Sequence, residues 1–211
     1  MEITKTKTLV TLAMLSALGA LLNLIEIPYP LAPWLMIDLA EVVVLVAFLM
    51  HGFKGGLIVS VAKFFVSLVI KGPVGPFGIG QITALIGSLT ILGFYMLFDK
   101  AFKHKYLPAI IATMLCFATV MVVINYLFVT PTYLSQKFTW YTQLPYTLDI
   151  NAFNEYFNMN LPSLGFLGWL GPYGEAIFII YFPFNLLKGL VTGFFYRVLR
   201  PVIVKNFIKQ A

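Results

Sequence analysis

The run PWLMIDLAEVVVLVAFLM, residues 33–50, is followed by HGFK, residues 51–54, and then by GGLIVSVAKFFVSLVI, residues 55–70. A helix needs about 20 mostly apolar residues to cross about 30 Å of hydrocarbon at 1.5 Å per residue. Both runs are near that length, and only His51 to Lys54 part them. They read as a tight helical hairpin in a membrane, the second arm short enough for its outer end to stop within the bilayer.

Outward from this pair lie four more apolar runs, at residues 8–25, 79–98, 107–129 and 173–199. The expected fold is an all-α integral membrane protein of six transmembrane helices, forming one membrane domain over residues 1–211. The composition agrees: 60% of the residues are hydrophobic and 10% are charged, against roughly 25% charged in a soluble domain. The first run, preceded by Lys5 and Lys7, has the look of a secretory signal, with Ala17 and Gly19 as a weak cleavage site. Five further spans make a retained first helix the simpler account.

Charge orients the bundle. Lys5, Lys7, Lys54, Lys100, Lys103, Lys105, Arg197, Arg200, Lys205 and Lys209, ten of the fourteen basic residues, share one side if the N-terminus is cytoplasmic. Only Lys71 and Lys137 then face outward, so the positive-inside rule puts both termini in the cytoplasm. The net charge of +6 thereby belongs to the bilayer surface, and the basic flanks lack the aromatic interleaving of nucleic-acid readers. The one long connection, residues 130–172, lies outside. Its Trp140, Trp169 and several Tyr and Phe residues suit the headgroup interface or the cover of a site.

Two lysines remain inside spans, Lys63 and Lys188, each at a cost of about 2.5–3.5 kcal/mol near the bilayer centre. Lys188 shares a helix face with Asn185, three positions earlier. It either bonds a helix carbonyl, snorkels, or contacts a ligand. Lys63 either pairs with Asp38, Glu41 or helix carbonyls, or contacts a ligand. Asp38, Gln81, Asn125 and Asn185 fall at similar depths in the outer half of different helices. Isolated membrane amides often only bond neighbouring helices. Several at one depth below an aromatic loop argue for an outward-open pocket. The segment KGPVGPFGIGQ, residues 71–81, is either a tight external turn or an irregular backbone lining that pocket.

Catalysis has no support. There is no phosphate-binding loop, no H-E-x-x-H and no Ser-His-carboxylate set at one depth, and the lone Cys116 excludes an intrachain disulfide. Neither a metal nor a cofactor is expected, and the chain does not hydrolyse ATP alone.

Pro28-Tyr29-Pro30, then Asp38-Leu39-Ala40-Glu41, then Gly80-Gln81, then Pro183-Phe184-Asn185-Leu186-Leu187-Lys188-Gly189 follow one another in an order and spacing that resemble a known family. It is that of the riboflavin-specific substrate-binding subunits of energy-coupling-factor (ECF) transporters. Asn125-Tyr126 before Pro131 is similar to the family's Asn in the fifth helix. The resemblance implies a six-helix fold and an outward pocket for riboflavin, covered by the first external loop. It implies that Asn125, Asn185 and Lys188 hydrogen-bond the ligand and that Gln81 lines the pocket. It also implies docking on a transmembrane coupling protein, which binds two ATPases, through an A-x-x-x-A pattern such as Ala13-Met14-Leu15-Ser16-Ala17. Packing within the bundle is the plainer account of that small-residue spacing. Glu41 after Ala40, Phe64 after Lys63 and Ala84 after Gln81 depart from the family pattern. They leave a related flavin or another vitamin open as ligand. A stand-alone secondary transporter using Lys63, Asp38 or Lys188 as proton carrier, and a membrane scaffold, are the competing readings.

Overall fold

The computed structural model describes residues 2–137 and 171–208. In chain order these form α1 (Glu2–Leu22), β1 (Ile27–Tyr29), β2 (Ala32–Ile37), α2 (Ala40–Lys71), a 3-10 turn (Pro76–Gly78) and α3 (Ile79–Ala101). Then follow α4 (Tyr106–Ile124), a π turn (Asn125–Val129), α5 (Thr130–Lys137), α6 (Gly171–Ile203) and a second π turn (Val204–Ile208). Among the described residues, five stretches are long and apolar enough to cross a membrane: Lys5–Leu22, Ala40–Lys71, Pro76–Ala101, Tyr106–Tyr133 and Tyr173–Phe207.

One of the five turns back on itself. Gly52, inside α2, has φ 67° and ψ −165°, a backbone state natural to glycine and foreign to a helix. Lys63 Nζ lies 2.6 Å from Glu41 Oε1, 22 positions away, whereas a straight helix would separate these residues by about 33 Å. The chain therefore reverses at Gly52, and the arms 40–51 and 53–71 run back along each other.

Two departures from the expected boundaries bear on the site. Residues 33–37, expected to begin the second span, lie in β2, which pairs antiparallel with β1 (Ile27 opposite Ile37, Pro28 opposite Met36). The helix starts only at Ala40, so the fold is helical with one β-hairpin and not wholly α. Prolines at 28, 30 and 33 explain the change: each lacks an N–H and disfavours helix at the residue before it. Asp38 then starts the helix, its Oδ1 accepting the Ala40 N–H at 2.9 Å. At the other boundary, Thr130–Lys137, expected in the external connection, continues as helix. The remainder of that connection lies outside the described residues.

Polarity is inverted relative to a soluble fold. Leu9, Met14, Phe65, Val69, Phe128 and Phe194 are exposed, while Asp38, Glu41, Lys63, Ser88, Asn125 and Asn185 are buried. Apolar side chains outside are at home in lipid, and the polar groups inside must be satisfied by one another or by a ligand. α4 and α6 approach closely where they lack side-chain bulk: a Cβ on Gly189 would stand 3.0–3.3 Å from Met114. Thr130 Oγ1 donates to Tyr181 Oη at 3.2 Å and so joins the segment that follows Asn125 to the helix that carries Asn185.

Candidate functional site

A cavity of about 530 Å³ lies between β2, α2, α3, the first π turn and α6, within the 300–1,000 Å³ typical of small-molecule sites. Phe117, Met121, Val129, Tyr181 and Phe184 give it broad apolar walls, and Trp34, Leu35 and Met36 bring the β-hairpin to its edge.

The polar wall is assembled from separate elements. Asn125 opens the π turn, and its Nδ2 donates to the Met121 carbonyl at 2.7 Å. Asn185 on α6 does the same to the Tyr181 carbonyl at 2.7 Å. A helix carbonyl can only accept, so the nitrogen of each amide is the bonded atom and each Oδ1 is left for another donor. The π turn, a widened turn frequent at functional sites, sets Asn125 apart from the regular helix.

Lys188 Nζ donates to Asp38 Oδ2 at 2.8 Å, and both residues line the cavity. The sequence offered Asp38 as a partner for Lys63; the fold gives it to Lys188. A buried lysine retains three donors, so one bond to Asp38 leaves capacity for a ligand acceptor.

Lys63 is not on the cavity wall. It donates to Glu41 Oε1 at 2.6 Å and to Ser88 Oγ at 2.8 Å, and the Ser88 hydroxyl lies 2.9 Å from the same carboxylate oxygen. This triad is closed to within 2% exposure and locks the two arms of α2 to α3. Glu41, by contrast, does reach the cavity, a placement the sequence reading did not foresee. A third pair, Lys71 with Glu26 at 2.6 Å, stands at the cavity rim, with Lys71 also donating to the Asn23 carbonyl.

Gln81 lines the cavity, yet its amide is occupied. Its Nε2 donates to the Gly72 carbonyl at 2.6 Å and its Oε1 accepts the Val74 N–H at 2.9 Å. It fastens the turn of residues 72–78, in which Gly72, Gly75 and Gly78 all have positive φ. The Gly- and Pro-rich run is thus both a turn and part of the wall, through Val74 and Gly80.

Ala13 and Ala17 lie on the exposed face of α1, while Leu12, Ser16 and Ala20 face inward. Packing inside the bundle therefore does not account for their spacing.

Against this geometry, the family profile described as "ECF transporter, substrate-specific component" matches residues 7–208. The riboflavin transporter FmnP of Bacillus subtilis is 27% identical over 98% of this chain and 96% of its own length. The riboflavin transporter RibU of Streptococcus thermophilus is 27% identical over 96% of this chain and 87% of its own. That of Staphylococcus aureus is 30% identical over 60% of this chain. A solved S component of a bacterial ECF transporter superposes with TM-score 0.67 over 95% of this chain and 97% of that one, at 19% identity, and so shares its fold. With nearly the whole chain matched, this protein belongs to the family of substrate-specific components of ECF transporters.

Proposed function

We propose that this chain binds riboflavin from the outer side of the cell membrane and delivers it for import as the substrate-binding subunit of an ATP-driven ECF transporter. The carrying observation is the cavity wall, where Asn125, Asn185 and Lys188 converge from two helices onto one space lined by Phe117, Met121 and Phe184. A flavin has a flat aromatic body that suits such walls. Its pyrimidine edge alternates acceptors with a donor, the pattern that two Asn amides and a lysine complement. The relatives named riboflavin transporters support the same ligand.

Five apolar stretches, one of them folded back on itself, support an arrangement of six membrane segments with both termini on one side. The positive-inside rule favours the cytoplasm for that side. The cavity, bordered by the β-hairpin and the 72–78 turn, then opens outward. Ala13 and Ala17 supply a flat, exposed strip on α1 for a helix of the transmembrane coupling protein, which brings two ATPase subunits and the ATP chemistry this chain lacks.

The test is direct. The chain purified in detergent is expected to carry a yellow chromophore, identified as riboflavin by mass spectrometry, and to quench the fluorescence of added riboflavin once emptied. Neither signal in monodisperse protein would refute the reading.

A further inference from the structure

Glu41 Oε2 is a buried oxygen of a cavity-lining residue and has no hydrogen-bond partner among the described residues. Unlike Asn125 and Asn185, Glu41 has no part in the reading above. Glu41 sits in the first turn of α2, is 2% exposed and lines the cavity. Its Oε1 is taken by Lys63 at 2.6 Å and by Ser88 at 2.9 Å. The Lys63 ammonium thus balances the charge while reaching only one of the two oxygens. An acidic oxygen without a partner away from water is costly, and in native folds such an atom calls for an explanation.

We propose that Glu41 is a ligand-binding residue whose Oε2 accepts a hydrogen bond from an O–H or N–H group of the bound molecule. The proposal rests on the flavin reading and deepens it. Riboflavin carries donors of two kinds, the ribityl hydroxyls and the imide N–H of the pyrimidine ring. A ligand that offers a donor at this point is favoured, because a ligand without it leaves the carboxylate oxygen stranded. Hydrogen bonds to charged groups are the stronger kind, so the contact contributes to selectivity as well as to affinity.

Glu41→Gln alone would leave Lys63 unpaired, so the informative variant is Glu41→Gln combined with Lys63→Met, which removes both buried charges together. Its affinity is measured by fluorescence titration for riboflavin, for lumiflavin, which has a methyl in place of the ribityl chain, and for 3-methylriboflavin, which lacks the imide N–H. For riboflavin a loss of about ten- to a hundredfold is expected relative to the unmodified protein. For the analogue that lacks the partner donor the loss shrinks toward unity, which identifies that donor. An unchanged riboflavin affinity, or an equal loss for all three flavins, overturns the proposal and leaves Glu41 as a counter-charge for Lys63. If the double variant is not recovered folded, Glu41→Asp, which keeps the charge beside Lys63 and withdraws the carboxylate by one methylene, is read against the same three flavins by the same criteria. Unmodified protein that binds no flavin overturns the proposed function itself, an outcome distinct from loss of the Glu41 contact.

Discussion

Lys188 Nζ and Asp38 Oδ2, 150 positions apart in the chain, meet at 2.8 Å on the cavity wall. The pair joins the middle of α6 to the junction between the β-hairpin and α2. Asp38 also accepts the Ala40 N–H, so one carboxylate both starts a helix and holds a lysine that faces the ligand space. Breaking the pair from either side strands a charge that water reaches poorly, since the lysine side chain is 13% and the aspartate 6% exposed.

Lys188→Met should therefore cost stability as well as binding, about 3 kcal/mol or more, because Asp38 is left unpaired. Adding Asp38→Asn should restore most of the unfolding temperature and none of the lost riboflavin affinity. Thermal unfolding in detergent and flavin titration separate the two effects. Affinity restored along with stability would make the lysine a purely structural partner.

Asn185→Ala and Asn125→Ala should each weaken riboflavin binding by about 1–3 kcal/mol, roughly five- to 150-fold, while leaving unfolding nearly unchanged. The reason is local. Each Nδ2 bonds a carbonyl one turn earlier in its own helix, and that carbonyl's regular partner is the backbone N–H of the following turn, so truncation orphans little in the protein. An unfolding temperature that falls as steeply as the affinity would contradict this.

Gln81→Leu should leave the Gly72 carbonyl and the Val74 N–H without their side-chain partner and loosen the 72–78 turn beside the cavity. The expected result is a faster release of riboflavin with a smaller change in association, read by stopped-flow fluorescence. A changed association rate with unaltered release would point to a direct ligand contact by the amide.

Ala13→Leu or Ala17→Leu should weaken assembly with the coupling protein and its ATPases while flavin binding by the isolated subunit stays within about twofold, because bulk on an exposed helix face blocks close approach without entering the core. Copurification and flavin titration give the two readouts. Loss of binding in step with assembly would count against a docking role.

Cysteines at Phe77 and Lys103, introduced after Cys116→Ala, should label from opposite sides of the membrane. Phe77 stands 91% exposed in the turn beside the cavity, and Lys103 follows the far end of α3. Labelling of both from outside intact cells would remove the basis for an outward-open site.

Hydropathy, helix length and basic flanks are properties of short windows, which is why the sequence by itself determined the apolar stretches, the reversal between residues 51 and 54, and a depth at which Asp38, Gln81, Asn125, Asn185 and Lys188 could share one space. All five line one cavity. Which of them bond one another was not legible, because pairing across 22 or 150 positions depends on how helices rotate and pack. Lys63 had three candidate partners in sequence, and only the closed arms of α2 select Glu41 and release Asp38 to Lys188. The β-hairpin was hidden because apolar residues 33–37 read equally well as helix, the prolines being the signal that outweighed them. Glu41 was legible only as a counter-charge. That a lysine reaches one carboxylate oxygen and leaves the other buried without a partner is a matter of side-chain geometry, and tertiary structure alone decides it.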